Sequence, residues 1–75
     1  MDTENTEDKL HNRVRELRAR DRLSQGDLAQ LIGASRQTIA LIERGDYAPS
    51  IVLVLKIAAV FQLQVESIFF LGKDE

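Results

Sequence analysis

Gln37 carries a donor and an acceptor on one amide, and it stands in the run Arg36-Gln37-Thr38, side chains that hydrogen bond without titrating near neutral pH. Groups of this kind recognise a surface; they do not shuttle protons or attack carbonyls. The chemistry they suit is edge-on reading of a planar polar partner. An amide can match adenine N6 and N7 together, and a guanidinium can fork onto guanine O6 and N7 or fall on a phosphate. Ala40 and Leu41, just beyond, offer only the apolar contact that a thymine methyl accepts. A second set, Gln25, Ser35, Arg44 and Ser50, has polar or cationic side chains close to where helices should begin or end, the places from which phosphate oxygens are held.

Such groups need rigid supports, and the stretch from Leu23 to Pro49 supplies two short helical patterns hinged on one glycine. Ala29 falls where the helices would touch and a larger side chain would force them apart. Gly33 falls at the turn, where a positive φ costs glycine nothing. Ile39 and Ile42, three apart, give the second helix one apolar stripe. Ser24 and Ser35 each precede an apolar-periodic run as N-caps, and Gly45 ends the second helix. This is the pattern of a helix-turn-helix, which makes double-stranded DNA the first partner to consider. With Ile39 and Ile42 pointing inward and about 100° per residue, Gln37, Ala40, Leu41 and Arg44 lie on the far side, flanked by Arg36 and Thr38. Arg36, Gln37, Thr38, Ala40 and Leu41 are the candidate base-contacting residues; Gln25, Ser35, Arg44 and Ser50 are the candidate phosphate contacts.

The residues Leu23, Ser24, Gln25, Leu28, Ala29, Gly33, Ser35, Ile39, Ile42, Glu43, Gly45 and Pro49 resemble the lambda-repressor-like helix-turn-helix regulators, the Cro/repressor or XRE family. The resemblance runs from about Arg13 to Phe70. It implies an all-α, five-helix DNA-binding domain acting as a sequence-specific transcriptional regulator, with the helix-turn-helix formed by helices 2 and 3. It also implies that Gln25 clamps a phosphate, and that Glu43 pairs with an arginine of the first helix, for which Arg18 is the matching position.

Composition limits the alternatives. A chain of 75 residues is one small domain in the range where a single core is marginal and dimerisation adds burial. There is no cysteine and a single histidine, His11, so no metal centre or cofactor is expected. No nucleophile stands with a base, and no glycine-rich phosphate loop is present, which argues against an enzyme. No apolar run is long enough for a membrane helix, Met1 to Asp8 is too acidic for a signal peptide, and a cytoplasmic protein is expected. The net charge of −2 looks wrong for a DNA binder. The acid is segregated, however: Asp2, Glu4, Glu7, Asp8, Asp74 and Glu75 lie at the two ends, and from Arg13 to Lys56 eight cations face five carboxylates. That local excess can make the phosphate contacts that supply non-specific affinity.

Periodicity predicts helices over about residues 11–20, 25–32, 36–44, 51–61 and 65–71 of a domain spanning 11–72, with a mobile acidic segment over 1–10. The fourth helix, Ile51 to Phe61, is apolar on almost every side, and Phe69-Phe70-Leu71 cannot all point inward from one helix. A homodimer through Val52, Val54, Phe70 and Leu71 is the expected use of that surface. A twofold dimer would read two half-sites about 34–36 Å apart, hence a pseudo-palindrome, and repression is the expected outcome. The alternative is a protein-interaction module, such as an antitoxin or a coactivator-type domain, that keeps the fold and holds a protein partner.

Overall fold

Three serines set where three helices begin. In the computed structural model, which describes residues 8–73, Ser24, Ser35 and Ser50 lie in extended backbone. Their Oγ atoms accept from the N–H groups of Asp27, Thr38 and Leu53 at 2.9, 3.0 and 3.2 Å. Each hydroxyl satisfies an amide that the first helical turn leaves unpaired. The chain runs β1 (Asp8–Asn12), α1 (Val14–Asp21), α2 (Gln25–Ile32), α3 (Arg36–Arg44), α4 (Ile51–Phe61), a 3₁₀ turn (Val65–Ser67) and β2 (Phe69–Lys73). Gly33 and Gly45 end α2 and α3 with φ of 72° and 80°, in the left-handed region that glycine enters without strain.

At the start of α2, Ser24 N–H also donates to Asp27 Oδ2 at 3.0 Å, closing a reciprocal capping box. That backbone hydrogen bond holds the Asp27 carboxyl below its ordinary value of 3.8. A carboxyl lowered by folding contributes stability above its unfolded-state pKa and loses it as pH falls through the folded one. Asp27→Asn should therefore melt below the wild type at neutral pH, with the two melting temperatures converging as pH drops below about 4. A gap that stays constant on acidification would argue against the capping carboxylate.

The core is one cluster built from every helix. Val14, Leu28, Ile39, Ile57 and Ile68 are fully buried, with Leu17, Ile32, Ile42, Phe61 and Phe69 nearly so. α2 packs on both α3 and α4 and so links α3 to the largest apolar element. Val54, expected between two copies, is 8% exposed and belongs to this core instead; at its position on α4 it faces inward with Ile57, Ala58 and Phe61. Val52, on the other side of α4, is 57% exposed.

The fold is not purely helical. The expected fifth helix over 65–71 is a short 3₁₀ turn followed by β2, and the expected first helix over 11–20 starts only at Val14 because residues 8–12 form β1. The strands pair antiparallel, with Leu10 opposite Leu71, His11 opposite Phe70 and Asn12 opposite Phe69. Of the segment 1–10, residues 8–10 are thus part of the sheet; residues 1–7 lie outside the described residues. Alternation along a strand resolves the crowding that a helix could not. Phe69 turns into the core at 7% exposure, and Phe70 turns the other way to stack on His11 at 5.7 Å between ring centroids.

Asn12 joins this sheet to the helices. Its Oδ1 accepts from Val14 N–H at 3.1 Å, opening α1, while its Nδ2 donates to the Ile42 carbonyl at 2.9 Å near the end of α3. Asn12→Ala should cost about 1 kcal/mol, or about 4–8 °C in melting temperature for a domain of this size. Asn12→Asp should melt lower than Asn12→Ala, since a carboxylate cannot donate to Ile42 and faces the negative end of α3. Equal melting temperatures for the two variants would remove the Ile42 contact from this account.

Candidate nucleic-acid interface

The contact between α2 and α3 has the residue sizes a close crossing requires. Ala29 is 4% exposed at the contact, and Ile39 and Ile42 are 0% and 1% exposed beneath α3. With its inner face fixed, α3 turns Arg36, Gln37 and Arg44 out to solvent, while Thr38, Ala40 and Leu41 are half-buried along its flanks. Of the five candidate base contacts, Arg36 and Gln37 therefore stand fully in solvent, and Thr38, Ala40 and Leu41 border them half-buried on the same helix. Thr38 is partly engaged already, because its Oγ1 lies 2.9 Å from Ser35 Oγ within the cap.

Arg18 and Glu43 meet across α1 and α3. Arg18 Nε donates to Glu43 Oε2 at 2.6 Å and Nη2 donates to Oε1 at 3.1 Å; the two side chains are only 14% and 5% exposed. Arg18 Nη1 also donates to the Leu23 carbonyl at 2.9 Å, tying the pair to the chain entering α2. The Glu43 hydrogen bond raises the Arg18 pKa further above its already high ordinary value, so the guanidinium is permanently charged. A bidentate, half-buried pair of this kind sets the orientation of α3 relative to α1 and α2.

Among the phosphate candidates, Gln25 is not a free surface amide: its Nε2 donates to Glu43 Oε1 at 3.2 Å. Ser35 and Ser50 are exposed caps whose hydroxyls already accept from the backbone. Arg44 is exposed and paired with Asp46 at 2.9 Å. Neither the Gln25 tie nor the Arg44–Asp46 pair is read from local sequence, although Asp46 two residues after Arg44 is a visible hint. The proposed interface residues divide by exposure: Phe70 and Leu71 are 45% and 67% exposed, and Val54 is buried.

One cation near α3 escaped the sequence reading. Arg15 lies on α1 and lines a cleft with Gln25, Ala40, Glu43 and Arg44. The available signal was its spacing: three residues before Arg18, it falls on the same helix face. No group of His, Cys, Asp or Glu side chains that could hold a metal ion occurs among the described residues. No helix among them is long and apolar enough to cross a membrane.

The helix-turn-helix family model HTH_3 matches residues 14–68. The HTH-type transcriptional regulator YgzD of Bacillus subtilis is 46% identical over 65 residues, covering 87% of this chain and 98% of its own. The HTH-type transcriptional regulator MJ0272 of Methanocaldococcus jannaschii is 46% identical over 66 residues, covering 88% of this chain and all of its own. The restriction-modification controller protein C.AhdI from Aeromonas hydrophila superposes with a TM-score of 0.68 at 38% identity, over 73% of this chain and 83% of that one. The chain belongs to the HTH_3, or XRE-type, family of helix-turn-helix DNA-binding transcriptional regulators.

Proposed function

We propose that this protein is a dimeric, sequence-specific repressor that binds a pseudo-palindromic operator through the major groove. The observation that carries the reading is the two-sidedness of α3: Ile39 and Ile42 are sealed in the core while Arg36 and Gln37 stand in solvent at the helix start. Helix-turn-helix domains present the N-terminal part of the second helix to base edges. Gln37 is assigned to adenine, Arg36 to guanine or an adjacent phosphate, and Thr38, Ala40 and Leu41 to flanking contacts that include a thymine methyl. Gln25, Ser35, Arg44 and Ser50 are assigned to the backbone. Repression needs only occupancy of a promoter, which a domain of this kind supplies by itself, and the site of action is the cytoplasm.

Dimerisation is supported by the apolar surface that the fold leaves uncovered. Ile51, Val52 and Leu55 on α4 are 65%, 57% and 55% exposed, and Leu71 on β2 is 67% exposed. Isolated exposed apolar residues need no explanation, but several large ones at helical spacing on one short helix, as Ile51, Val52 and Leu55 are, mark an interface.

The test is a selection from a random duplex library with the wild type and Gln37→Ala in parallel at stated salt. The wild type should recover a pseudo-palindrome, and the substitution should relax the preference by about 1–3 kcal/mol at one position in each half-site. No enriched sequence would overturn the operator reading and favour a protein-holding module on the same fold.

A further inference from the structure

Arg15 and Arg18 lie three residues apart on α1, and Arg18 is directed at α3 by its pairing with Glu43. Arg15 accordingly borders the open cleft of about 270 Å³ that Gln25, Ala40, Glu43 and Arg44 also line. Arg13, Arg18, Arg20 and Arg44 each engage a carboxylate, whereas Arg15 has no such partner among the described residues. The acid in the cleft is quenched: Glu43 Oε2 accepts from Arg18 Nε, and Oε1 accepts from Arg18 Nη2 and Gln25 Nε2. Because a carboxylate of this kind only accepts, the Gln25 nitrogen must face it, and the second Nε2 hydrogen remains for another acceptor. The cleft thus combines an uncommitted cation, an oriented amide donor and a neutralised acid.

We propose that this cleft seats one backbone phosphate of the bound duplex, with Arg15 as its principal cation and Gln25 as an oriented donor. Arg44 can join it, since its exposed pair with Asp46 holds it only weakly. The proposal rests on the DNA-binding reading above and adds α1 as a third element gripping the backbone, with Glu43 as the residue that positions Gln25. Phosphate contacts fix register and orientation without carrying sequence information. Their signature is therefore electrostatic.

The experiment measures affinity for the selected duplex between about 50 and 200 mM salt for the wild type, Arg15→Gln, Arg15→Lys and Lys56→Gln. Lys56, exposed on α4, does not line this cleft and serves as a charge-matched control. Arg15→Gln should make the slope of log K against log salt shallower by about 0.9 per bound protomer, recover the same sequence and melt with the wild type. Arg15→Lys should restore most of the slope, and Lys56→Gln should leave it unchanged. A wild-type slope in Arg15→Gln, or an equal loss in Lys56→Gln, overturns the phosphate seat while the DNA reading stands. Absence of duplex binding by the wild type overturns both.

Discussion

Replacing Glu43 with alanine should destabilise the domain by about 3–5 kcal/mol, a fall in melting temperature of about 15 °C or more. The size follows from what is left behind. Arg18 is 14% exposed and uses three nitrogens, two on Glu43 and one on the Leu23 carbonyl. Without Glu43 its charge stays close to the core with two of those donors unmet. Marginal stabilities of about 5–15 kcal/mol are usual for single domains, so the loss would place much of the population near unfolding at physiological temperature. The effect comes from orphaning a charge rather than from the net worth of the pair. Replacing both partners together, as Arg18→Met with Glu43→Leu, should recover most of the stability. Circular dichroism melts at low and high salt check this: a half-buried pair should be little affected by salt, whereas an exposed one would be screened. An unchanged melting curve for Glu43→Ala would show that the pair does not hold α3.

The same pair shows which parts of the molecule local sequence can disclose. Ser24, Ser35, Ser50, Gly33 and Gly45 act within a few residues of themselves, so the limits of α2, α3 and the start of α4 are written where they occur. The outward face of α3 follows from two isoleucines by helical geometry alone. The hairpin does not follow from anything local, because its strands pair Leu10 with Leu71, residues near opposite ends of the chain. A short apolar run such as Val65–Leu71 fits a helix or a strand equally well until its partner is known. For the candidate site, Gln25 reads as a phosphate contact from its motif position, but its bond to Glu43 exists only because the start of α2 and the end of α3 converge. Arg15 is the same case: a surface arginine by pattern, and a cleft residue once the Arg18–Glu43 pair ties α1 to α3.

Leu71→Lys should leave a folded monomer and lower operator affinity by at least about a hundredfold, the largest functional loss expected from one surface residue. Leu71 is 67% exposed in the free chain, so a lysine there meets water and should leave the melting temperature nearly unchanged at low protein concentration. In a twofold interface the residue occurs in both subunits, so each association buries two ammonium groups instead of two leucines. Central apolar contacts are worth about 2 kcal/mol or more each, and two such losses raise the dimer dissociation constant by about three orders of magnitude. A monomer then holds one half-site, and the salt dependence of duplex binding should fall to about half its wild-type slope because half the phosphates are neutralised. Val54→Ala is the contrasting substitution: Val54 lies in the core at 8% exposure, so its loss should appear in the melting temperature and leave the dimer constant unchanged. Sedimentation velocity across micromolar concentrations, paired with thermal melts, separates the two outcomes. A wild type that sediments as a monomer throughout, or Leu71→Lys that dimerises and binds as the wild type does, would mean that the exposed apolar residues of α4 and β2 serve something other than a second copy of this chain.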